Sequence, residues 1–131
     1  MLWDPIRAIW VKKTPEESVR QKLIQKMIGE LGFPKGLLVV EGDLETGRRF
    51  DLVCYAKAKE GLRPLLLVEC KADTIDEAAA RQAWGYNASI GAPFLCLVCG
   101  KEIRTLWKAE GKIESVPFLP PFADLLNQVC F

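Results

Sequence analysis

Histidine is missing altogether from this chain of 131 residues. Without an imidazole there is no Ser-His-Asp or Cys-His nucleophilic machinery, no His-ligated zinc, and no nuclease chemistry that uses histidine as base or phosphoryl acceptor. Chemistry must come from carboxylates, lysines, hydroxyls, thiols or a metal held by oxygen. Long apolar runs are missing too. None approaches the length needed to span a bilayer, and no secretory leader pattern opens the chain, so the expected setting is cytoplasmic, with no membrane partner. A G-x-x-x-x-G-K-[ST] phosphate loop is absent: Gly100-Lys101 and Gly111-Lys112 have neither the spacing nor the hydroxyl. No ATP site is therefore expected. An excess of one charge is also lacking, with 18 Lys+Arg against 17 Asp+Glu. A net charge of +1 generates no global field for a polyanion.

What is present describes a folded, soluble protein: 50% of residues are apolar and 27% charged. The length suits a single domain over residues 1–131 with a real core. Charge is locally uneven. Between Arg7 and Lys35 stand Arg7, Lys12, Lys13, Arg20, Lys22, Lys26 and Lys35 against Glu16, Glu17 and Glu30, which predicts a local basic surface. Of the five cysteines (Cys54, Cys70, Cys96, Cys99, Cys130), four lie in apolar runs, where a thiol packs as a small hydrophobe. Cys96 and Cys99 form a C-x-x-C, but no second pair completes a zinc tetrahedron. In a strand, positions three apart point to opposite faces, which sets a redox reading of this pair aside.

Along the chain, residues 1–12 read as an irregular arm or short strand. Thr14-Pro-Glu-Glu17 predicts a helix start, with Thr14 as N-cap, Pro15 in the first turn and Glu17 closing a capping box. Val19, Leu23, Met27 and Leu31 recur on one face, and Gly32 stops the helix. Strands are predicted at Leu37–Glu45, Arg48–Lys57 and Pro64–Lys71, with a turn at Thr46-Gly47. The run Pro64-Leu-Leu-Leu-Val-Glu-Cys-Lys71 is apolar enough to be buried on both faces. Thr74-x-x-Glu77 reads as a second capping box opening a helix to about Ile90, with Ala78, Ala79, Ala83 and Tyr86 inward and Gly91 as its stop. A strand at Pro93–Cys99, a hairpin of Ile103–Lys108 and Ile113–Val116 around Gly111, and a short helix at Pro121–Val129 complete the chain. The order predicts an α/β sandwich: a central mixed β-sheet flanked by helices.

Chemistry concentrates in Arg49-Phe-Asp51 and Val68-Glu-Cys-Lys71. Glu69 and Lys71 are two apart on a strand and share a face, while Val68 and Cys70 point the other way. Ionised groups in an apolar central strand are costly unless they pair or serve a site. If the two strands form a hairpin, Asp51 meets Glu69 at one end of the sheet. Two carboxylates suit a hard cation such as Mg²⁺, and a neighbouring lysine can orient or deprotonate water. A cross-face ion pair and a turn-capping aspartate are the bland alternatives.

These residues resemble the D…(D/E)-x-K motif of the restriction-endonuclease-like superfamily, whose fold has an αβββαβ core. Thr14-Pro-Glu-Glu-Ser-Val-Arg-Gln21, Arg48-Arg-Phe-Asp51 and Gln82-Ala-Trp-Gly-Tyr86 further resemble the N-terminal nuclease domain of type I restriction enzyme R subunits, as does Asn87. The resemblance runs from about residue 12 to 108, with 103–131 forming a terminal hairpin and helix. It implies Asp51 and Glu69 as ligands of Mg²⁺ (Mn²⁺ substituting), the Cys70 backbone carbonyl as a third, and Lys71 as catalytic lysine. It implies Glu17 as an accessory acid turned towards the metal, although its capping role stands beside this. Gln82 and Tyr86 would reach the scissile phosphate or its neighbours, and Arg48 and Arg49 would face DNA phosphates.

The sequence departs from that family after the strand following the Gln82 helix, where Val98-Cys-Gly100 replaces a T-N-G. With no phosphate loop, the resemblance implies the nuclease module without its ATP-driven motor. The expected activity is Mg²⁺-dependent DNA endonuclease hydrolysis, with DNA as partner and a homodimer as the expected assembly, since one site cuts one strand. The alternative is a non-catalytic nucleic-acid-binding or protein-interaction module on the same fold.

Overall fold

The computed structural model describes residues 1–40 and 50–131. The predicted turn at Thr46-Gly47, and Arg48 and Arg49, lie outside the described residues. A short hairpin opens the chain, β1 (Leu2–Asp4) antiparallel to β2 (Ile9–Val11). Then follow α1 (Pro15–Gly29), β3 (Leu38–Val40), β4 (Leu52–Ala58), β5 (Gly61–Cys70), α2 (Glu77–Ile90), β6 (Phe94–Val98), β7 (Ile103–Ala109), β8 (Lys112–Val116) and α3 (Phe122–Asn127). β3 to β8 form one six-stranded sheet in chain order. Its pairs are antiparallel except β5 with β6, which run parallel because α2 carries the chain back between them. This is the mixed α/β sandwich the sequence predicts.

The central position of β5 explains its composition. From Leu65 to Cys70 every residue is buried, and both faces meet a core. On one face Val68, Cys70, Leu52, Cys54, Cys96 and Val98 pack with Leu23, Ile24 and Met27 of α1 and Leu125 of α3. On the other, Val53, Leu67, Leu95 and Leu97 pack with Ala83 of α2 and Ile75 before it. Pro64, which cannot donate to a ladder, sits beside a register shift at Cys54/Tyr55, where a proline is tolerated. The same shift turns both Leu65 and Leu66 into the α1-side core.

The helix ends follow local chemistry. Thr14 Oγ1 accepts the Glu17 N–H at 3.1 Å, as predicted for an N-cap, but the Glu17 carboxylate turns away from the cap, so only half of the capping box forms. For α2 the predicted cap is corrected. Asp76, not Thr74, accepts the Ala79 N–H, at 2.8 Å. Ile75, immediately before this cap, and Ala80 in the first turn join the same cluster, a hydrophobic staple that fixes where the helix begins. Starting there, α2 buries Ala83 and Asn87, while Ala78 is exposed rather than inward. Gly91 closes the helix at φ 77°, a left-handed position that favours glycine.

The hairpin between β7 and β8 turns through Glu110 and Gly111, both at positive φ, as a two-residue turn between twisted strands requires. No helix among the described residues is long and apolar enough to cross a membrane.

Candidate active site

β4 and β5 pair with Leu52 opposite Val68, so Asp51, one residue before β4, stands across from Glu69. Asp51 and Glu69 lie on the α2 side of the sheet with Val53 and Leu67, whereas Val68 and Cys70 face α1. The Cys70 N–H donates to Asp51 Oδ2 at 2.7 Å, which fastens the aspartate to the end of β5. The Lys71 N–H donates to the Val98 carbonyl at 2.8 Å, extending the β5–β6 pairing one step beyond the last strand residue. Asp51, Glu69 and Lys71 therefore meet where β5 ends. The sequence-based convergence of the three is what the backbone produces.

Glu69 is only 5% exposed. Burial, the adjoining Asp51 charge and a hydrogen bond shared with the Asp51 side chain push its pKa from 4.5 up to about 8, against a smaller pull from Lys71. Its Oε1 is buried with no hydrogen-bond partner. An unpartnered acceptor beside a second carboxylate is a group in want of a cation. The described residues contain no cluster of three or more His, Cys, Asp or Glu side chains. A metal here would thus be held by the two carboxylates with a backbone carbonyl and water, a hard-oxygen set that suits Mg²⁺.

Gln82 and Tyr86 lie four residues apart on α2, and Gln82 Nε2 donates to Tyr86 Oη at 3.1 Å. Gln82 is exposed, and Tyr86 packs partly against the α2-side cluster that also contains Phe50. Both stand on the side of the sheet that carries Asp51 and Glu69. Asn87 is committed elsewhere: its side chain donates to the Ala92 carbonyl at 2.8 Å and accepts the Ala92 N–H at 3.0 Å, tying the end of α2 to the start of β6. Its place in the motif is structural.

Glu17 sits within a buried ionic network. Its carboxylate accepts from Arg7 Nη2 at 2.7 Å, Arg20 Nη2 at 2.7 Å and Gln21 Nε2 at 3.2 Å. Arg7 also pairs with Asp4 at 2.6 Å. Asp4 is fully buried. Burial raises its pKa, but hydrogen bonds from Arg7 and the Ile6 N–H, with the Arg7 charge, overcome this and hold it below the usual range. The basic surface predicted from Arg7 to Lys35 is corrected accordingly, because Arg20 is buried and Arg7 partly so. Arg20 also lies close enough to act electrostatically on the Cys70 thiol, just behind the site. Sequence reading missed this network, and its local signals are two acids three residues before a basic residue, Asp4 before Arg7 and Glu17 before Arg20.

Four of the five thiols are buried, and Cys130 is exposed. Cys96 belongs to the α1-side core and Cys99 to the α2-side core, as strand parity requires. Burial pushes Cys54 and Cys96 up to about 12, and Cys70 upward as well.

Residues 15–120 match the family described as type I restriction enzyme R protein N terminus. No curated protein matches the chain. Among solved structures, a fragment assigned to the HsdR subunit of a type I restriction enzyme from Vibrio vulnificus matches with a TM-score of 0.61 and 15% identity. The match covers 87% of this chain and 24% of that one, so this chain spans about a quarter of that structure's length. The likeness shows a shared fold. With four-fifths of its length matched by that family, the chain belongs to the type I restriction enzyme R protein N-terminal family.

Proposed function

We propose that this chain is a Mg²⁺-dependent DNA endonuclease that hydrolyses phosphodiester bonds at Asp51, Glu69 and Lys71. One observation carries the reading: two carboxylates are pressed together at the end of β5, one of them buried with an unpartnered oxygen, with Lys71 two residues further on. Asp51 and Glu69 would hold the cation with the Cys70 carbonyl as the third protein donor. A hard divalent ion bound there supplies Lewis-acid polarisation of the phosphoryl group and offsets its developing charge. Lys71, half-buried beside this pair, orients the attacking water and takes up its proton as the water oxygen bonds to phosphorus, while the bond from phosphorus to the leaving sugar oxygen breaks and that oxygen takes a proton from solvent. Gln82 and Tyr86 hold the phosphate or its neighbours through their neutral polar groups. Asp51 keeps the active-site end of β5 in place through the Cys70 N–H.

Plasmid nicking in Mg²⁺ or Mn²⁺, compared between the wild type and Lys71→Ala, tests the activity. Loss of nicking in the variant supports the reading. Equal nicking by both proteins, or none by either across duplex, branched and single-stranded DNA, refutes it. Calorimetric titration with Mn²⁺ then separates an inactive relative from an enzyme awaiting its substrate. Absence of a site that Asp51→Ala removes would leave a non-catalytic binding module.

A further inference from the structure

A groove of about 550 Å³ opens between α1 and the corner where β6 passes into β7. Lys22 and Lys26 enter it from α1, and Lys101 and Arg104 from the corner. Its acid, Glu102, is paired with Arg104 at 3.7 Å. Among the described residues, no ion pair engages Lys22, Lys26 or Lys101. Lys22 and Lys26 lie one helical turn apart and share a face. Three uncompensated ammonium groups along one groove stand out on a protein of net charge +1.

Phe118 also lines the groove and is 51% exposed. Its backbone is fixed, since its carbonyl accepts from Thr105 Oγ1 at 2.8 Å. An aromatic ring held open to solvent among lysines is the pairing that single-stranded nucleic acids use, with the phosphates on the cations and a base on the ring. A duplex keeps its base faces stacked internally and gives such a ring nothing to stack on. The groove lies on the α1 side of the sheet, behind the face that carries Asp51 and Glu69, and reaches the same end of β5 and β6. Val98 lines it, and the Val98 carbonyl is the acceptor of the Lys71 N–H.

We propose that this groove binds an unpaired nucleic-acid strand, with Lys22, Lys26 and Lys101 on its phosphates and Phe118 stacked on one base, and so brings the strand to the end of β5 and β6, where it passes from the α1 face round to Asp51 and Glu69. The proposal rests on the functional reading above for the nature of the substrate, and it adds the form that the substrate takes.

The test is fluorescence anisotropy of a labelled oligothymidylate and of a blunt duplex, using the full chain in EDTA so that no cleavage intervenes. The single strand should bind, and Lys22→Gln with Lys26→Gln should weaken it about tenfold or more while reducing the magnitude of the log K against log salt slope by about 1.4. Phe118→Ala should weaken single-strand binding roughly fivefold or more and leave duplex binding unchanged, with Phe118→Tyr restoring it. Thermal melts verify that each variant is folded. Wild-type affinity in the double lysine variant, equal losses for strand and duplex in Phe118→Ala, or no single-strand binding by the wild type overturns the proposal. Strand binding without nicking under any metal condition would instead sink the endonuclease reading and leave the groove standing.

Discussion

Asp51 and Glu69 stand opposite one another across β4 and β5, and the Asp51 charge helps to make Glu69 harder to ionise. Asp51 is held there because its Oδ2 accepts the Cys70 N–H at 2.7 Å. Glu69 is held there because the strand that carries it is buried on both faces. Neither carboxylate can swing away without giving up a backbone hydrogen bond or exposing a core strand. The fold thus maintains a like-charge contact that water would otherwise disperse, and the consequences can be measured.

The first is a pH dependence of stability in the absence of metal. The folded-state pKa of Glu69 lies above its ordinary value, at about 8 against 4.5, because burial and Asp51 disfavour its charge. Between these values the folded protein retains a proton that the unfolded chain has released, so stability is greatest below pH 4.5 as far as this group is concerned and falls as pH rises to about 8. The slope from one such group is at most about 1.4 kcal/mol per pH unit. Thermal melts in EDTA from pH 5 to pH 9 should show Tm declining for the wild type, and Glu69→Gln should flatten the profile. A wild-type Tm that climbs across this range would contradict the assigned shift.

Cation binding should reverse that decline. At pH 8 a saturating divalent ion replaces the missing proton between the two carboxylates, and an ion present at 100 times its Kd stabilises by about 2.7 kcal/mol. Addition of Mn²⁺ should raise the wild-type Tm and leave Asp51→Asn and Glu69→Gln unmoved. A similar rise in all three proteins would place the ion somewhere else.

Gln82 offers a cleaner separation of function from folding. It is exposed, and the partner recorded for its side chain is Tyr86 Oη at 3.1 Å. Gln82→Ala should therefore change stability by no more than about 0.5 kcal/mol, while lowering nicking about tenfold or more through lost contact with the phosphate. Unaltered nicking rates in this variant would make Gln82 a surface residue of α2.

The sequence exposes what depends on period and misses what depends on distant partners. An uninterrupted apolar run marks β5 as central, and a spacing of two places Glu69 and Lys71 on one face; both follow from pleat geometry alone. The expected cap of α2, Thr74, stands two residues before the observed one because Thr74-x-x-Glu77 and Asp76 are equally good local signals. Only the packing of Ile75 into the α2-side cluster decides between them. Arg7 and Arg20 read as surface charge because the local pairs Asp4–Arg7 and Glu17–Arg20 become one buried network only when Arg7 reaches Glu17 across the packing of β1 on α1. The basic groove was hidden for the same reason, since Lys22, Lys101 and Phe118 are distant in sequence and adjacent only in the fold.

Glu17 is where the two kinds of role can be told apart. Its carboxylate is 6% exposed as part of the residue and takes hydrogen bonds from Arg7, Arg20 and Gln21. Removing one member of a buried ionic network typically costs about 3–5 kcal/mol, because the remaining charges stay desolvated. Glu17→Ala should therefore lower Tm substantially in EDTA, in contrast to Asp51→Asn, which relieves a like-charge contact. If Glu17 serves only this network, the stabilisation gained from Mn²⁺ will be the same in Glu17→Ala as in the wild type. If it also turns towards the cation, as the resemblance to R-subunit nuclease domains implies, that increment will shrink. Melts with and without Mn²⁺ on this one variant, scored as a difference, decide between the two because the structural loss cancels and the metal-dependent part does not.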